Sequence, residues 1–294
     1  MTKHKNLFVS ILTRAMPAAN YRGEAEANRT VLQKITMPDG SQRCVVSPDA
    51  IRNALREMLA AEGLPMRRSR VHDGNELTVR YCDQPNPDKY ADDFIFGYMV
   101  PEKREAKGEG EDKKGKIAKK VTNGHPARRV SILRMNFAVA TTPYMDDATL
   151  HQSPRQEGAS MDNGGSALLH REVSFTSFQY CFAIDLAQAQ TPDQKGWITT
   201  LLTCIANLAN VSGSHARSYF DFSPRAAVAR LTSRPAPGFG LYDFREDGTW
   251  AGELPPGCSA DEFFAVGPIP GVRSFPSAEF MFGSVANAAA LVGV

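Results

Sequence analysis

Apolar and polar residues alternate in several stretches of the chain, a pattern typical of β-strands. Leu7, Val9 and Ile11 alternate over residues 5–13, which predicts a half-buried strand. Residues 173–186 predict a longer strand, whose core face is expected to carry Phe178, Tyr180, Phe182, Ile184 and Leu186. Shorter strand patterns occur at residues 75–82, 130–140, 226–232 and 262–266.

Two helices are predicted by an apolar period of about 3.6 residues together with start signals. Over residues 47–62, Ser47 supplies an N-cap and Pro48 takes the first helical position. A second helix is predicted over about residues 192–210, where Thr191 and Gln194 match a capping box. The residues expected to face the core are Ile51, Ala54, Leu55, Met58 and Leu59 in the first helix and Trp197, Ile198, Leu201, Leu202, Ile205 and Leu208 in the second.

The order of these elements indicates an α+β fold. Over residues 5–232 the order is β, α, β, β, α, β, which is that of a ferredoxin-like sheet with two helices. The polar residues 14–29 are expected to form a loop, and the Gly/Ser/Asp-rich residues 145–171 a protruding hairpin or loop. Proline and glycine interrupt the patterns beyond residue 233, so little is predicted there. One domain of residues 1–294 accommodates these elements.

Charge is distributed unevenly along the chain. The net charge at pH 7 is +2, yet residues 102–129 hold ten Lys and Arg against five acidic residues. This segment is therefore +5 and the remainder −3. Because the segment has almost no apolar side chain to bury, we expect a long mobile insertion. It is either solvated or lies as a basic flap over a polyanion.

Composition argues against several classes of protein. The sequence has no apolar run of the ~18 residues that a membrane helix needs, and its first residues do not resemble a secretory signal. The five cysteines are odd in number and scattered, which indicates a reducing compartment rather than a disulfide framework or a zinc site. The six histidines show no metal-ligand spacing. We therefore expect a cytoplasmic protein with no membrane partner, no metal and no cofactor.

Two stretches carry residues suited to an anionic partner. Arg52 and Arg56 are four apart, so they share a helix face away from the apolar stripe, with Asn53 beside them. A polyanion would relieve the repulsion between these like charges, although two solvated arginines are an equally ordinary interpretation. In residues 211–218, small residues precede His215 and Arg217, and this mixture suits a phosphate backbone. An ordinary turn with a solvated arginine is the alternative.

Four stretches together resemble the backbone subunit of type I CRISPR surveillance complexes, in the DevR branch of the RAMP superfamily. The first is the strand of residues 7–13 with the Arg/Asn-rich segment after it, and the second is the helix start at 47–56. The third, residues 92–99, resembles the family's Asp-x-x-Phe-Gly-Tyr segment. The fourth, residues 211–230, resembles its Gly/Ser-x-His-Ala-Arg loop and the following strand. The resemblance covers most of residues 5–232.

This resemblance implies a ferredoxin-like (RRM-like) palm with long insertions. Residues 83–129 correspond to a finger-like mobile insertion, residues 141–172 to a thumb-like hairpin, and residues 233–294 to a C-terminal extension of uncertain placement. Family members assemble head-to-tail along one guide RNA, which is presented for pairing with target DNA, and they contact other subunits of the complex. They are not known for cleavage in type I systems, so we expect no enzyme activity.

The resemblance also implies which residues contact RNA. The residues placed near the guide RNA are Arg14, Asn20, Arg22 and Arg29, and those that would hold its phosphates are Arg52, Asn53 and Arg56. The channel would be completed by His215 and Arg217, and Met161 would wedge between nucleotides. Stacking aromatic residues are not obvious on the strands, which favours backbone binding over base readout.

Other functions remain open at this point. Related subunits of type III systems cut bound target RNA with an acidic loop residue, and Asp39, Glu24 or Glu26 could serve in that way. Asp39 precedes Gly40 in what the sequence predicts to be a plain turn. His215 with a lysine or tyrosine could instead mimic a sibling that processes precursor guide RNA. An interaction protein unrelated to CRISPR systems is the remaining alternative.

Overall fold

The chain folds into an α+β structure built on one large sheet. The computed structural model describes residues 4–18, 20–26, 29–73, 76–100, 121–122, 124–152, 168–211 and 219–291. In chain order the strands and helices are β1 (Asn6–Thr13), β2 (Met16–Pro17), β3 (Tyr21–Glu26), β4 (Arg29–Leu32), β5 (Lys34–Thr36), β6 (Gln42–Val46), α1 (Pro48–Ala61), β7 (Arg68–Asp73), β8 (Glu76–Tyr81), α2 (Ala91–Phe96), β9 (Tyr98–Met99), β10 (Val121–Thr122), β11 (His125–Pro126), β12 (Arg128–Arg129), β13 (Leu133–Met135), β14 (Ala138–Ala140), β15 (Ala148–Gln152), β16 (Leu168–Glu172), β17 (Phe175–Thr176), β18 (Phe178–Asp185), α3 (Pro192–Ala206), β19 (Pro224–Thr232), β20 (Phe263–Val266), β21 (Arg273–Phe275) and α4 (Ala278–Ala288). Two short 3-10 turns, Leu186–Gln188 and Ala260–Glu262, complete the described elements.

The main sheet places β1 at its centre. The strand order is β21-β20-β19-β1-β18-β14-β6-β5, and β13 also pairs with β18. Both neighbours of β1 are antiparallel to it, with Leu7 opposite Ile184 on one side and Leu231 on the other. Every residue of β1 after Asn6 is buried. The prediction of a half-buried strand is therefore wrong, because a second layer covers the face that the alternation assigned to solvent.

The first face of the sheet is covered by helices. Ser47 caps α1 by accepting the backbone N–H of Ala50, and α1 buries Ile51 and Leu55 against the sheet. The predicted capping box of α3 is confirmed, although α3 ends at Ala206, earlier than expected. The helix α4 lies beside α3 and packs on β19, β20 and β21. It had no counterpart among the sequence predictions.

The second face is covered mainly by the segment between β19 and β20, which we call the C-terminal layer. Its aromatic residues pack on side chains of β1 and β19, and the members of this cluster include Phe8, Leu12, Val228, Phe239, Phe244, Trp250 and Phe263. Polar side chains of the sheet bind the backbone of this layer. Ser10 Oγ donates to the Leu241 carbonyl at 2.7 Å. The Gln179 amide donates to the Phe244 carbonyl at 2.6 Å and accepts the Phe244 N–H at 2.8 Å. The chain beyond β19 is thus part of the fold rather than an appendage.

Smaller sheets differ most from the sequence predictions. Residues 14–29 were expected to be a loop, but they contain β2 and β3, and β3 lies at the edge of a four-stranded sheet of order β15-β16-β4-β3. Residues 75–82 contain β8, which pairs with β7 in a separate two-stranded ribbon instead of joining the main sheet. Residues 130–140 hold two short strands, β13 and β14, where one was expected. The sheet that contains β3 is completed by β15 and β16 from a distant part of the chain, whereas β8 pairs with β7, which lies just before it in sequence.

The boundaries of the finger-like and thumb-like insertions stay predictions. Most of the basic segment, residues 101–120, lies outside the described residues. Within residues 83–129, α2 is fully buried, and Phe94 packs against Trp197 of α3 with ring centroids 5.9 Å apart. Within residues 141–172, β15 pairs antiparallel with β16.

A buried ion pair joins β19 to the C-terminal layer and generates a stability prediction. Arg230 is 1% exposed, its Nε and Nη2 lie 2.8 Å from Glu262 Oε2, and its Nη1 donates to the Pro237 carbonyl. Replacing Glu262→Ala leaves this guanidinium buried without its carboxylate, so we expect the free energy of unfolding to fall by about 3 kcal/mol. Urea unfolding followed by circular dichroism measures the change. The double variant Arg230→Met/Glu262→Leu should recover most of the loss, and an equally unstable double variant would contradict this account.

Candidate nucleic-acid interface

The two arginines of α1 pack against the end of α2. Arg52 Nη2 donates to the Phe96 carbonyl at 2.7 Å, and the Arg56 guanidinium lies over the Phe96 ring, 4.1 Å from its centroid. Both arginines are half-buried. The alternative that both arginines are simply solvated is therefore excluded, because an aromatic ring and a backbone carbonyl hold them in place.

Arg56 forms no ion pair or hydrogen bond with any of the described residues. Burial first, and then the charges of Arg68 and Arg52, lower the pKa of Arg56 to about 10, and the nearby carboxylate of Asp92 offsets this only in part. The group stays protonated at neutral pH. We call Arg52, Arg56 and Arg68 together the basic surface.

Two carboxylates anchor the start of β7 beside the basic surface. Asp92 accepts the backbone N–H groups of Arg67 at 2.8 Å and Arg68 at 2.9 Å. Asp93 accepts Arg67 Nε at 2.8 and 2.7 Å and the N–H of Asn86 at 2.9 Å. These acids are buried at the first turn of α2. They bind backbone and Arg67, which leaves the charge of Arg56 without a carboxylate of its own.

An exposed aromatic residue stands next to these arginines. Tyr81, the last residue of β8, is opposite Arg68 across the β7–β8 pair. The guanidinium of Arg67 lies over its ring, 4.2 Å from the centroid, and the side chain is 58% exposed. The sequence predictions missed Tyr81, Arg67 and Asp93. The available signal was the run of arginines at residues 67–70 just before a strand pattern that ends in tyrosine.

Several residues predicted to contact RNA have other partners. Arg14 is exposed, donates to Ser223 Oγ at 3.1 Å and lies 3.8 Å from Asp221 Oδ2. Asn20 is 1% exposed, and its amide nitrogen and oxygen have no hydrogen-bond partner in the described part of the chain. Asn53 is half-buried on α1. None of the contacts found for Arg14 or Asn20 involves the basic surface.

Arg29 belongs to a cluster of paired charges. It is ion-paired with Asp146 and lies 3.2 Å from Glu172 Oε1, while Lys34 Nζ lies 2.7 Å from Glu172 Oε2. A cavity of about 470 Å³ opens here, lined by Arg29, Lys34, Gln42, Tyr144, Asp146 and Glu172. Because Glu172 and Asp146 already neutralise the two cations, Arg29 is a poorer anion site than Arg56.

Other predicted residues cannot be placed in a site. Arg22 lies in β3, but its side chain is outside the described residues, as are those of Glu24 and Glu26. Met161, His215 and Arg217 fall outside the described residues altogether. Their roles stay predictions.

Asp39 lies in an exposed turn, as its sequence context predicts. Its carboxylate accepts the Ser41 N–H at 2.9 Å and the Ser41 hydroxyl at 2.7 Å, and these hydrogen bonds lower its pKa. Gly40 adopts φ of +81°, which the turn requires. The side chain of Asp39 thus has a structural role in closing this turn.

Neither a metal site nor a membrane-spanning helix is found among the described residues. No group of three or more His, Cys, Asp or Glu side chains among them is arranged to hold a metal ion. No helix within the described ranges is both long enough and apolar enough to span a membrane.

Known proteins that resemble this chain include two solved structures and one sequence relative, while no protein-family model matches the chain. Two solved structures share the fold: "CRISPR RNA-guided surveillance complex" (TM-score 0.59, 10% identity, 97% of this chain and 99% of that chain) and "CRISPR RNA-guided surveillance complex, pre-nicking" (TM-score 0.61, 9% identity, 97% and 100%). A relative from Myxococcus xanthus (strain DK1622), "CRISPR-associated protein Cas7/Cst2/DevR", is 31% identical over 247 residues, which cover 81% of this chain and 76% of the relative. The resemblance drawn from the sequence is confirmed, and the chain belongs to the Cas7/Cst2/DevR family of CRISPR-associated proteins.

Proposed function

We propose that this protein is a non-catalytic RNA-binding backbone subunit of a type I CRISPR surveillance complex. Copies assemble head-to-tail along a guide RNA and present it for pairing with target DNA, next to other subunits of the complex. Family membership and the shared fold support this function. The observation that carries RNA binding is the half-buried Arg56, which has a positive charge, two arginine neighbours and no ion pair or hydrogen bond to a described carboxylate.

Phosphate chemistry fits the basic surface. A phosphodiester would supply the missing counter-charge to Arg56 and relieve its repulsion from Arg52 and Arg68. Charge-assisted hydrogen bonds from guanidinium to phosphate are among the stronger polar contacts that proteins make. A run of phosphates satisfies several arginines at once, and the release of condensed counterions adds to the affinity. The partner would accordingly be a single strand bound through its backbone, without strong sequence preference.

The main sheet contains a unit that we propose as the palm on which the RNA lies. This ferredoxin-like unit consists of the neighbouring strands β19, β1, β18 and β14, with α1 following β1 and α3 following β18 in the chain. Residues 83–129 would form the finger and residues 141–172 the thumb. Further contacts to the guide RNA are proposed for Arg14, Asn20, Arg22, Arg29, Asn53, Met161, His215 and Arg217.

The first prediction tests the charge of Arg56. Replacing Arg56→Met should weaken binding of a guide-length RNA by about 1.5–3 kcal/mol, or roughly 10- to 100-fold, because a hydrogen bond between charged partners is lost. The slope of log affinity against log salt should become shallower by about 0.7, the value for one phosphate contact on a single strand. Fluorescence anisotropy over a salt series measures both quantities.

Stability provides an internal check on this variant. Folding lowers the pKa of Arg56 to about 10, so at neutral pH its charge disfavours the folded state, and Arg56→Met should leave Tm unchanged or raised. The matched control is Arg273→Met. Like Arg56, Arg273 lies over a phenylalanine ring, 5.0 Å from the Phe275 centroid, but it is on β21, an edge strand of the main sheet. Equal losses of RNA affinity in both variants would show that net charge alone matters and would contradict the proposed interface.

A second prediction concerns assembly along the RNA. On RNAs of increasing length, mass photometry should show complexes that grow by one protein mass at regular increments of length, since head-to-tail contacts that do not close form open helical arrays. One copy bound per RNA at every length, with protein in excess, would contradict the backbone role. This outcome would leave RNA binding itself intact.

A third prediction separates the backbone subunit from an endoribonuclease. End-labelled RNA incubated with the wild-type protein and a divalent cation should stay intact, and Asp39→Ala and His215→Ala should behave as the wild type does. Denaturing gel electrophoresis over a time course is the measurement. Site-specific cleavage by the wild type that one of these substitutions abolishes would establish the endoribonuclease instead.

A further inference from the structure

We propose that Tyr81 is a stacking platform for a nucleobase of the bound single strand. The proposal rests on the proposed function, because it concerns the strand whose phosphates lie on the basic surface. The sequence favoured binding to the RNA backbone over base readout, and this proposal adds a contact to a base.

The geometry leaves the Tyr81 ring available on one side. The guanidinium of Arg67 covers one face at 4.2 Å from the centroid, yet the side chain is still 58% exposed. More than half of the surface of Tyr81 is therefore accessible among the described residues. An aromatic ring with one covered face and one open face presents a flat apolar surface of the size that a base requires, and stacking on it tolerates any base because every base has a π-face.

The ring is also held in place before any ligand arrives. Arg67 is 7% exposed, and its Nε is bound to both oxygens of Asp93. Asp92 fixes the chain at the start of β7 through two backbone N–H groups, and Tyr81 is paired with this strand. A platform that is fixed beforehand loses little conformational entropy when a ligand stacks on it, so more of the contact energy appears as affinity.

Its position favours a nucleic acid over a protein partner. Arg68 is the residue directly opposite Tyr81, and the charge of Arg68 acts on Arg56. A base joined to a phosphate on Arg56 or Arg68 would thus be within reach of the ring. A protein segment seated here would need to be acidic to cover three arginines, whereas a nucleotide supplies both the anion and the ring.

The experiment compares Tyr81→Leu with Tyr81→Phe on two ligands, a guide-length RNA and a matched strand in which every base is replaced by an abasic sugar. On the RNA, Tyr81→Leu should bind about 5- to 150-fold more weakly than the wild type, the range for loss of one stacked base. Tyr81→Phe should bind as the wild type does, because the ring is retained. On the abasic strand, all three proteins should bind alike.

The salt dependence distinguishes stacking from the positioning of charge. Loss of a stacked base removes no phosphate contact, so Tyr81→Leu should keep the wild-type salt slope, in contrast to Arg56→Met. Thermal unfolding should show equal Tm for the wild type and Tyr81→Phe, and Tyr81→Leu is assayed well below its own Tm so that the folded protein is compared.

Each alternative outcome overturns a different claim. Wild-type protein that does not bind RNA overturns the proposed function. Wild-type protein that binds RNA while Tyr81→Leu binds equally well overturns the stacking proposal alone, as does an equal loss on the abasic strand or a shallower salt slope. If only the growth of complexes on longer RNA is impaired in Tyr81→Leu, the ring contacts a neighbouring copy and the stacking proposal is wrong.

Discussion

The central sheet must be covered on both faces, and most of the architecture follows from this constraint. In β1, Leu7 packs into the cluster under the helices, while Phe8 packs into the cluster under the C-terminal layer. Neither face can be left to water without exposing a continuous apolar surface. Helices α1, α3 and α4 cover the first face, and the segment between β19 and β20 covers most of the second. Polar side chains within the sheet, such as Ser10 and Gln179, find their hydrogen-bond partners in that second layer.

The helix that covers the first face also carries the basic surface. Because Ile51 and Leu55 face the core, Arg52 and Arg56 must project from another side of α1, and there they meet Phe96. No described carboxylate forms an ion pair with Arg56, since Asp92 accepts backbone N–H groups and Asp93 binds Arg67. Acidic residues thus organise this region, while Arg52, Arg56 and Arg68 keep their positive charges close together.

Elements specified by neighbouring residues were predictable, and elements specified by distant partners were not. The caps of α1 and α3 involve residues a few positions apart, so the sequence located the starts of both helices. The apolar strand predicted at 173–186 is present as β18, residues 178–185, while Phe175 and Thr176 pair with β2 instead. By contrast, β3 is polar and belongs to a four-stranded sheet whose other two strands, β15 and β16, come from a distant part of the chain. The ribbon of β7 and β8 is likewise held by Asp92 of α2, which accepts backbone N–H groups at the start of β7. The residues of the ribbon alone do not predict this contact.

The residues of the candidate site were likewise predictable only where short spacing in the sequence defines them. The sequence alone determined the α+β class, the two capped helices, the family resemblance and the shared face of Arg52 and Arg56, because each of these depends on residue type and short spacing. Only the tertiary structure decided which arginines remain without a carboxylate. Arg29 is neutralised by Asp146 and Glu172, residues more than a hundred positions away, whereas Arg56 meets Phe96 and Arg68. Charge compensation depends on distances in space, and those are set by packing rather than by position along the chain.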